Sequence, residues 1–137
     1  MSDTINGKPI NRMGCCGVFA VAFVAAKPVE EVFGLFKKRF HRGNRWRGRT
    51  YDYERSAILT SLGVKWSEIN YMVQGRKCSL AKWVDWHTVK GRTYIVRAGR
   101  HIQVIRDGIV HDQSGSNPIG EFWGRNKRVR GARLMAD

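Results

Sequence analysis

A chain of 137 residues is one domain's worth of sequence, enough to bury a real core. Hydrophobic residues make up 42% of it, which excludes disorder as the default, and five Trp, six Phe and four Tyr supply large apolar anchors. Against 11 Asp and Glu stand 25 Lys and Arg, a net charge of +14 that favours contact with nucleic acid, an anionic surface or an acidic protein. A basic surface with no specific partner accounts for the same excess.

Residues 1–10 read as a flexible N-terminal arm, and residues 11–137 as a single domain. Residues 13–26 form a run of fourteen without charge. That is too short to span a bilayer, so no membrane partner is expected. Lys8, Arg12 and the Ala-rich end give the run a loose likeness to a signal peptide. A buried helix explains it better: VFAVAFVAA, residues 18–26, is apolar on nearly every face and should be central. Lys27-Pro28 breaks that helix, and Pro28 suits the first turn of the next. There Val29, Val32, Phe33, Phe36 and Phe40 recur at spacings of three and four. Glu30 and Glu31 stand early in it and Lys37, Lys38 and Arg39 late, as the helix dipole prefers.

A basic, Gly-containing loop follows at about residues 41–50, then a third helix over residues 51–62 with Gly63 placed to cap it. Residues 64–70 suit a short strand, and Ser79 is placed to cap a helix over residues 80–87. The last half reads as β. A strand over 92–97 precedes a hairpin of residues 101–106 and 109–113 around Asp107-Gly108. Residues 114–118 read as a turn, and one more strand is expected near Val129. Helices first and antiparallel strands later argue an α+β fold, N-terminal helices packed on a C-terminal antiparallel sheet.

Two segments carry candidate chemistry. Cys16 stands one Gly before the apolar helix, at the helix end whose partial positive charge and free N–H groups favour a thiolate. Gly14 and Gly17 flank the Cys15-Cys16 pair and allow close approach of another backbone. Cys15 is the alternative nucleophile, and a merely buried cysteine fits the same residues. In the hairpin, a two-residue turn pairs Arg106 with Ile109, which sets Gln103 opposite Asp112 and makes His101 its diagonal neighbour on the same face. His111 points to the other face. A register slip of one residue would turn His101 away from Asp112. A thiol, an imidazole and a carboxylate in this order form a nucleophile–base–orienter set.

The stretch CGVFAVAFVAAKPVEEVF (residues 16–33) resembles the nucleophile helix of small papain-like proteins of phages and bacteria, with Ala26 where Gly is usual. HIQVIRDGIVHD (residues 101–112) resembles their histidine hairpin, and bacteriocin-leader peptidases are similar at greater distance. The resemblance covers roughly residues 11–40 and 93–123. It implies a papain-like cysteine peptidase fold and a peptidase or amidase acting on a peptide or protein, encoded by a phage. Cys16 would be its nucleophile, His101 the general base and Asp112 the orienter. Where that group uses an upstream Gln in the oxyanion hole, Asn11 is the nearest amide.

Three cysteines are too few for a disulfide-built fold, and a reducing cytoplasm (a host's, for a phage protein) is the simplest setting. No zinc spacing is present, so neither a metal nor another cofactor is expected. Lys37, Lys38, Arg39, Arg42, Arg45, Arg47 and Arg49 crowd into thirteen residues, with Trp46 among them and Tyr51 and Tyr53 following. Arg125, Lys127, Arg128, Arg130 and Arg133 make a second run in the basic C-terminal segment at about 124–137. Cations interleaved with aromatics suit nonspecific nucleic-acid binding; a solvated loop or docking on an acidic protein suits them as well. The alternative to an enzyme is therefore a basic nucleic-acid-binding or virion-associated structural protein that uses the same fold with a vestigial site.

Overall fold

The computed structural model describes residues 4–136. Where the sequence points to one domain, the chain forms two compact units, Met1–Lys65 and Trp66–Asp137. The element order is α+β, helices preceding most of the strands. Among the described residues no helix is long and apolar enough to cross a membrane.

The first unit opens with a two-stranded hairpin, β1 (Thr4–Ile5) and β2 (Lys8–Pro9), and a 3-10 turn, Ile10–Arg12. Residues 4–10 are therefore not a loose arm. Ile5 and Ile10 are 1% and 2% exposed, and two buried Ile side chains hold a short segment that hydrogen bonding alone would not. Residues 1–3 of the expected arm lie outside the described residues. α1 (Cys16–Ala25) ends where Ala26 turns left-handed, its N–H bonding the Ala22 carbonyl. Gly17, Val18, Ala20, Val21 and Ala22 are buried, but Phe23 is exposed, so α1 is not enclosed on every side.

α2 (Val29–Arg39) buries Val29, Val32, Phe33 and Phe36, the predicted stripe. α3 (Asp52–Ser61) buries Ile58 and Leu59. α1 packs on both α2 and α3, and α2 packs on β1. The loop between α2 and α3 is pinned to both helices. Trp46 stacks on Phe33 at 4.7 Å, and Arg42 pairs with Glu54 of α3. Glu54, 1% exposed, also accepts the Tyr51 N–H at 2.8 Å, a capping contact at the helix start.

Among its described residues the second unit is a six-stranded antiparallel sheet with one α-helix and a 3-10 turn, Ile119–Glu121. β3 (Trp66–Glu68), β4 (Thr93–Ala98), β5 (His101–Arg106), β6 (Ile109–Asp112), β7 (Gly115–Pro118) and β8 (Val129–Met135) lie in the order β3-β8-β4-β5-β6-β7. α4 (Leu80–His87) is capped by Ser79, whose hydroxyl accepts the Lys82 N–H at 3.2 Å. Trp83 and Leu80 of α4 are buried in one cluster with Tyr94, Val96, Ile105, Val110, Phe122 and Val129.

Two strands differ from expectation. Residues 115–118, read as a turn, pair with β6 as an edge strand. Pro118 ends that strand, where a missing N–H costs the ladder nothing. β8, foreseen only near Val129, occupies the interior of the sheet between β3 and β4. Its arginines masked the alternation that would have marked it.

Gly48 has φ +104°, and a Cβ there would meet the Cys15 Cβ at 2.5 Å. Gly48→Ala should cost about 1–3 kcal/mol in urea unfolding, whereas Gly43→Ala, with nothing within 4 Å, should cost less than about 0.5 kcal/mol. Equal unfolding midpoints would mean that residue 48 does not anchor the loop on Cys15.

Candidate functional site

The hairpin forms with the predicted register: Arg106 opposes Ile109, Ile105 opposes Val110 and Val104 opposes His111. Asp107 and Gly108 both take positive φ, 51° and 74°, as a two-residue turn matching strand twist requires. His101 and Asp112 then meet across the hairpin, Nε2 to Oδ2 at 2.9 Å. Their side chains are 16% and 1% exposed. A carboxylate can only accept, so Nε2 carries the hydrogen and Nδ1 is left as the basic nitrogen of a neutral ring.

Asp112 has two further donors, the Ser114 N–H at 2.9 Å and the Trp123 side chain. Burial alone would raise its carboxyl pKa, but hydrogen bonds from His101, Ser114 and Trp123 outweigh burial and hold it below the ordinary 3.8. The Trp123 ring also lies 5.0 Å from the His101 ring, and Phe122 lies 6.3 Å away. Sequence reasoning missed Trp123. It reads there as one aromatic in a basic tail, and only the return of that segment to the hairpin gives it a role.

The other polar groups of the hairpin are structural. Gln103, on the His101 face, donates its amide to the Val96 carbonyl at 2.6 Å. His111, on the opposite face, contacts the Ser116 hydroxyl at 2.6 Å, and burial lowers its pKa.

Cys16 is the first residue of α1 and is partly exposed. Cys15 precedes the helix, is fully buried and directs its Sγ to the Ile10 carbonyl at 3.6 Å. Burial, helped by the neighbouring Cys16, pushes the Cys15 thiol up to about 11. It stays protonated at neutral pH. Cys78 is buried in the core of the second unit, and burial raises its thiol as well.

The residue after Cys16 must be small. A Cβ on Gly17 would meet the Thr50 hydroxyl at 2.2 Å and the Arg55 Cδ at 3.0 Å. Arg55 is 6% exposed and donates to both the Thr50 carbonyl and its hydroxyl at 2.9 Å. A buried guanidinium thus stands beside the first turn of α1, where it adds to the positive field of the helix end. In the sequence Arg55 is an unremarked helix residue three after Asp52. Asn11 is exposed on the 3-10 turn five residues before Cys16. Cys16 and Asn11 belong to the first unit, His101 and Asp112 to the second.

The basic residues divide by role. Lys38, Arg39, Arg45, Arg47 and Arg49 are exposed in the first unit, as are Arg125, Lys127, Arg128 and Arg130 in the second. Lys37 donates to the Asn44 amide oxygen at 3.1 Å, and Arg42 is engaged by Glu54. Arg133 leaves the basic run altogether: it is buried, its guanidinium 4.1 Å over the Trp66 ring. Trp46 likewise belongs to the Phe33 stack rather than to an open face. Among the described residues no group of three or more His, Cys, Asp or Glu could hold a metal ion.

Carboxyl NMR should find Asp112 titrating below 3.8, and Trp123→Phe or His101→Ala should each raise that value by removing a donor. Because the folded value is depressed, the stabilisation from these contacts is complete above the unfolded value near 3.8 and is lost as pH falls through the folded one. An Asp112 titration indifferent to both substitutions would contradict the contacts described. No protein family, curated protein or solved structure matches the chain.

Proposed function

We propose that the protein is a papain-like cysteine peptidase or amidase, with Cys16 as nucleophile, His101 as general base and Asp112 as orienter. The observation that carries the proposal is the His101–Asp112 pair, a buried carboxylate holding an imidazole in the tautomer that leaves Nδ1 basic. A partly exposed cysteine at the start of a ten-residue helix supplies the complementary group. A nucleophile helix near the start of the chain and a histidine hairpin in a later antiparallel sheet agree with a papain-like fold.

In the proposed reaction His101 Nδ1 takes the Cys16 proton, and the thiolate adds to an amide carbonyl. The oxyanion faces N–H groups of the first turn of α1. The C–N bond then breaks, and the imidazolium gives its proton to the departing amine. Water, deprotonated by the same nitrogen, attacks the thioester and releases the carboxylic acid and the thiol. Asp112 stays ionised throughout and stabilises the imidazolium. Asn11 is the side-chain candidate for a further oxyanion donor. Because the nucleophile must be a reduced thiol, the proposal favours a reducing compartment such as the cytoplasm.

The test is the pH dependence of iodoacetamide labelling, read by mass spectrometry on the whole chain and on Cys15→Ser, Cys16→Ser and His101→Ala. Cys16 should label with a midpoint at least one unit below the ordinary thiol value of about 8.5. His101→Ala should move that midpoint upward and slow labelling at pH 7 by about tenfold or more. Cys15 should label negligibly at pH 7, and Cys15→Ser should change nothing. A Cys16 that titrates near 8.5 and ignores His101 would sink the proposal.

A further inference from the structure

The connection between α2 and α3 holds a surface that hydrolysis of an amide does not call for. Residues 37–49 contain seven Lys or Arg and no Asp or Glu. Packing this many like charges together opposes folding unless a counter-charge is taken up. Within the unit Glu54 offsets Arg42, and Asp52 lies 3.3 Å from Arg55. Lys38, Arg39, Arg45, Arg47 and Arg49 remain exposed.

The aromatics of the same region are sorted by burial. Trp46 turns inward onto Phe33 at 4.7 Å and Phe36 at 6.4 Å, and its indole N–H bonds the Arg49 carbonyl, so it holds the loop. Tyr51 and Tyr53 do the opposite. They are 51% and 66% exposed, yet their rings lie parallel to within 7° at 6.1 Å. The Arg42 and Arg49 guanidinium groups stand 5.9 Å and 6.0 Å from the centre of the Tyr51 ring. Phe40 meets the Tyr53 ring edge-on at 6.1 Å. Glu54 fixes the backbone beneath by accepting the Tyr51 N–H. The result is two exposed, ordered rings accompanied by cations.

We propose that this surface binds single-stranded nucleic acid, Tyr51 and Tyr53 stacking on bases while the exposed arginines and lysines follow the phosphates. Exposed ring faces serve unstacked bases, whereas a duplex offers its phosphates but keeps its base faces covered. An acidic peptide could satisfy the charge, but its carboxylate side chains offer no flat rings to place on the tyrosines. No side chain here is fixed to read base edges, so binding is indifferent to sequence and falls steeply with salt.

The test uses the full chain and fluorescence anisotropy with a labelled oligothymidylate, a duplex of the same length and a polyglutamate of the same charge. The single strand should bind tightest. Tyr51→Ala and Tyr53→Ala should each weaken it by on the order of tenfold while leaving duplex affinity unchanged. Tyr51→Phe and Tyr53→Phe, which keep the rings, should bind as the wild type does, and this separates stacking from a folding defect. Arg45→Ala with Arg49→Ala should flatten the slope of log K against log salt by about 1.4, roughly 0.7 per contact on a single strand. Cys16→Ser should not alter binding, so failure of the peptidase proposal leaves this one standing. Alanine variants that bind like wild type would overturn it, as would polyglutamate or duplex binding as tight as the single strand.

Discussion

A carboxylate removed from water must be supplied with hydrogen-bond donors, and Asp112 receives them from His101, Ser114 and Trp123. Three segments of the second unit contribute to meeting that requirement. The His101 contact fixes the orientation of the imidazole. The Ser114 contact shapes the turn that carries the chain into β7, so the edge strand begins where the carboxylate is satisfied. The Trp123 contact draws the segment before β8 back to the hairpin and sets an indole beside the imidazole.

The first unit solves a related problem for sulfur. Two adjacent cysteines at a helix start share nearly the same field, yet one is enclosed and the other is not. Gly48 and the Ile10 carbonyl close around Cys15, which raises its thiol. Cys16, one position on, begins the helix proper and meets the positive end of α1 with Arg55 nearby. Burial, more than sequence neighbourhood, therefore distinguishes the two thiols. The arginines divide on the same principle. Arg42 and Arg55 are structural, held by Glu54, Thr50 and Asp52, and Arg133 rests on Trp66. What remains exposed is a smaller and more ordered basic surface than the composition suggests.

The sequence by itself determined the local elements and the hairpin register. An uncharged apolar run placed α1, apolar spacing placed α2, Ser79 marked the start of α4, and Asp107-Gly108 set the pairing that makes His101 and Asp112 diagonal neighbours. These are short-range consequences of helix and strand periodicity and of turn stereochemistry, which neighbouring residues specify among themselves. The tertiary structure alone decided the position of β8 inside the sheet, the anchoring of residues 4–10 by Ile5 and Ile10, and the division into two units. It alone also brought in Trp123 and Arg55, separated Cys15 from Cys16, and turned Trp46 inward while leaving Tyr51 and Tyr53 open. Each of these depends on residues far apart in the chain competing for burial, and no local pattern encodes the outcome of that competition.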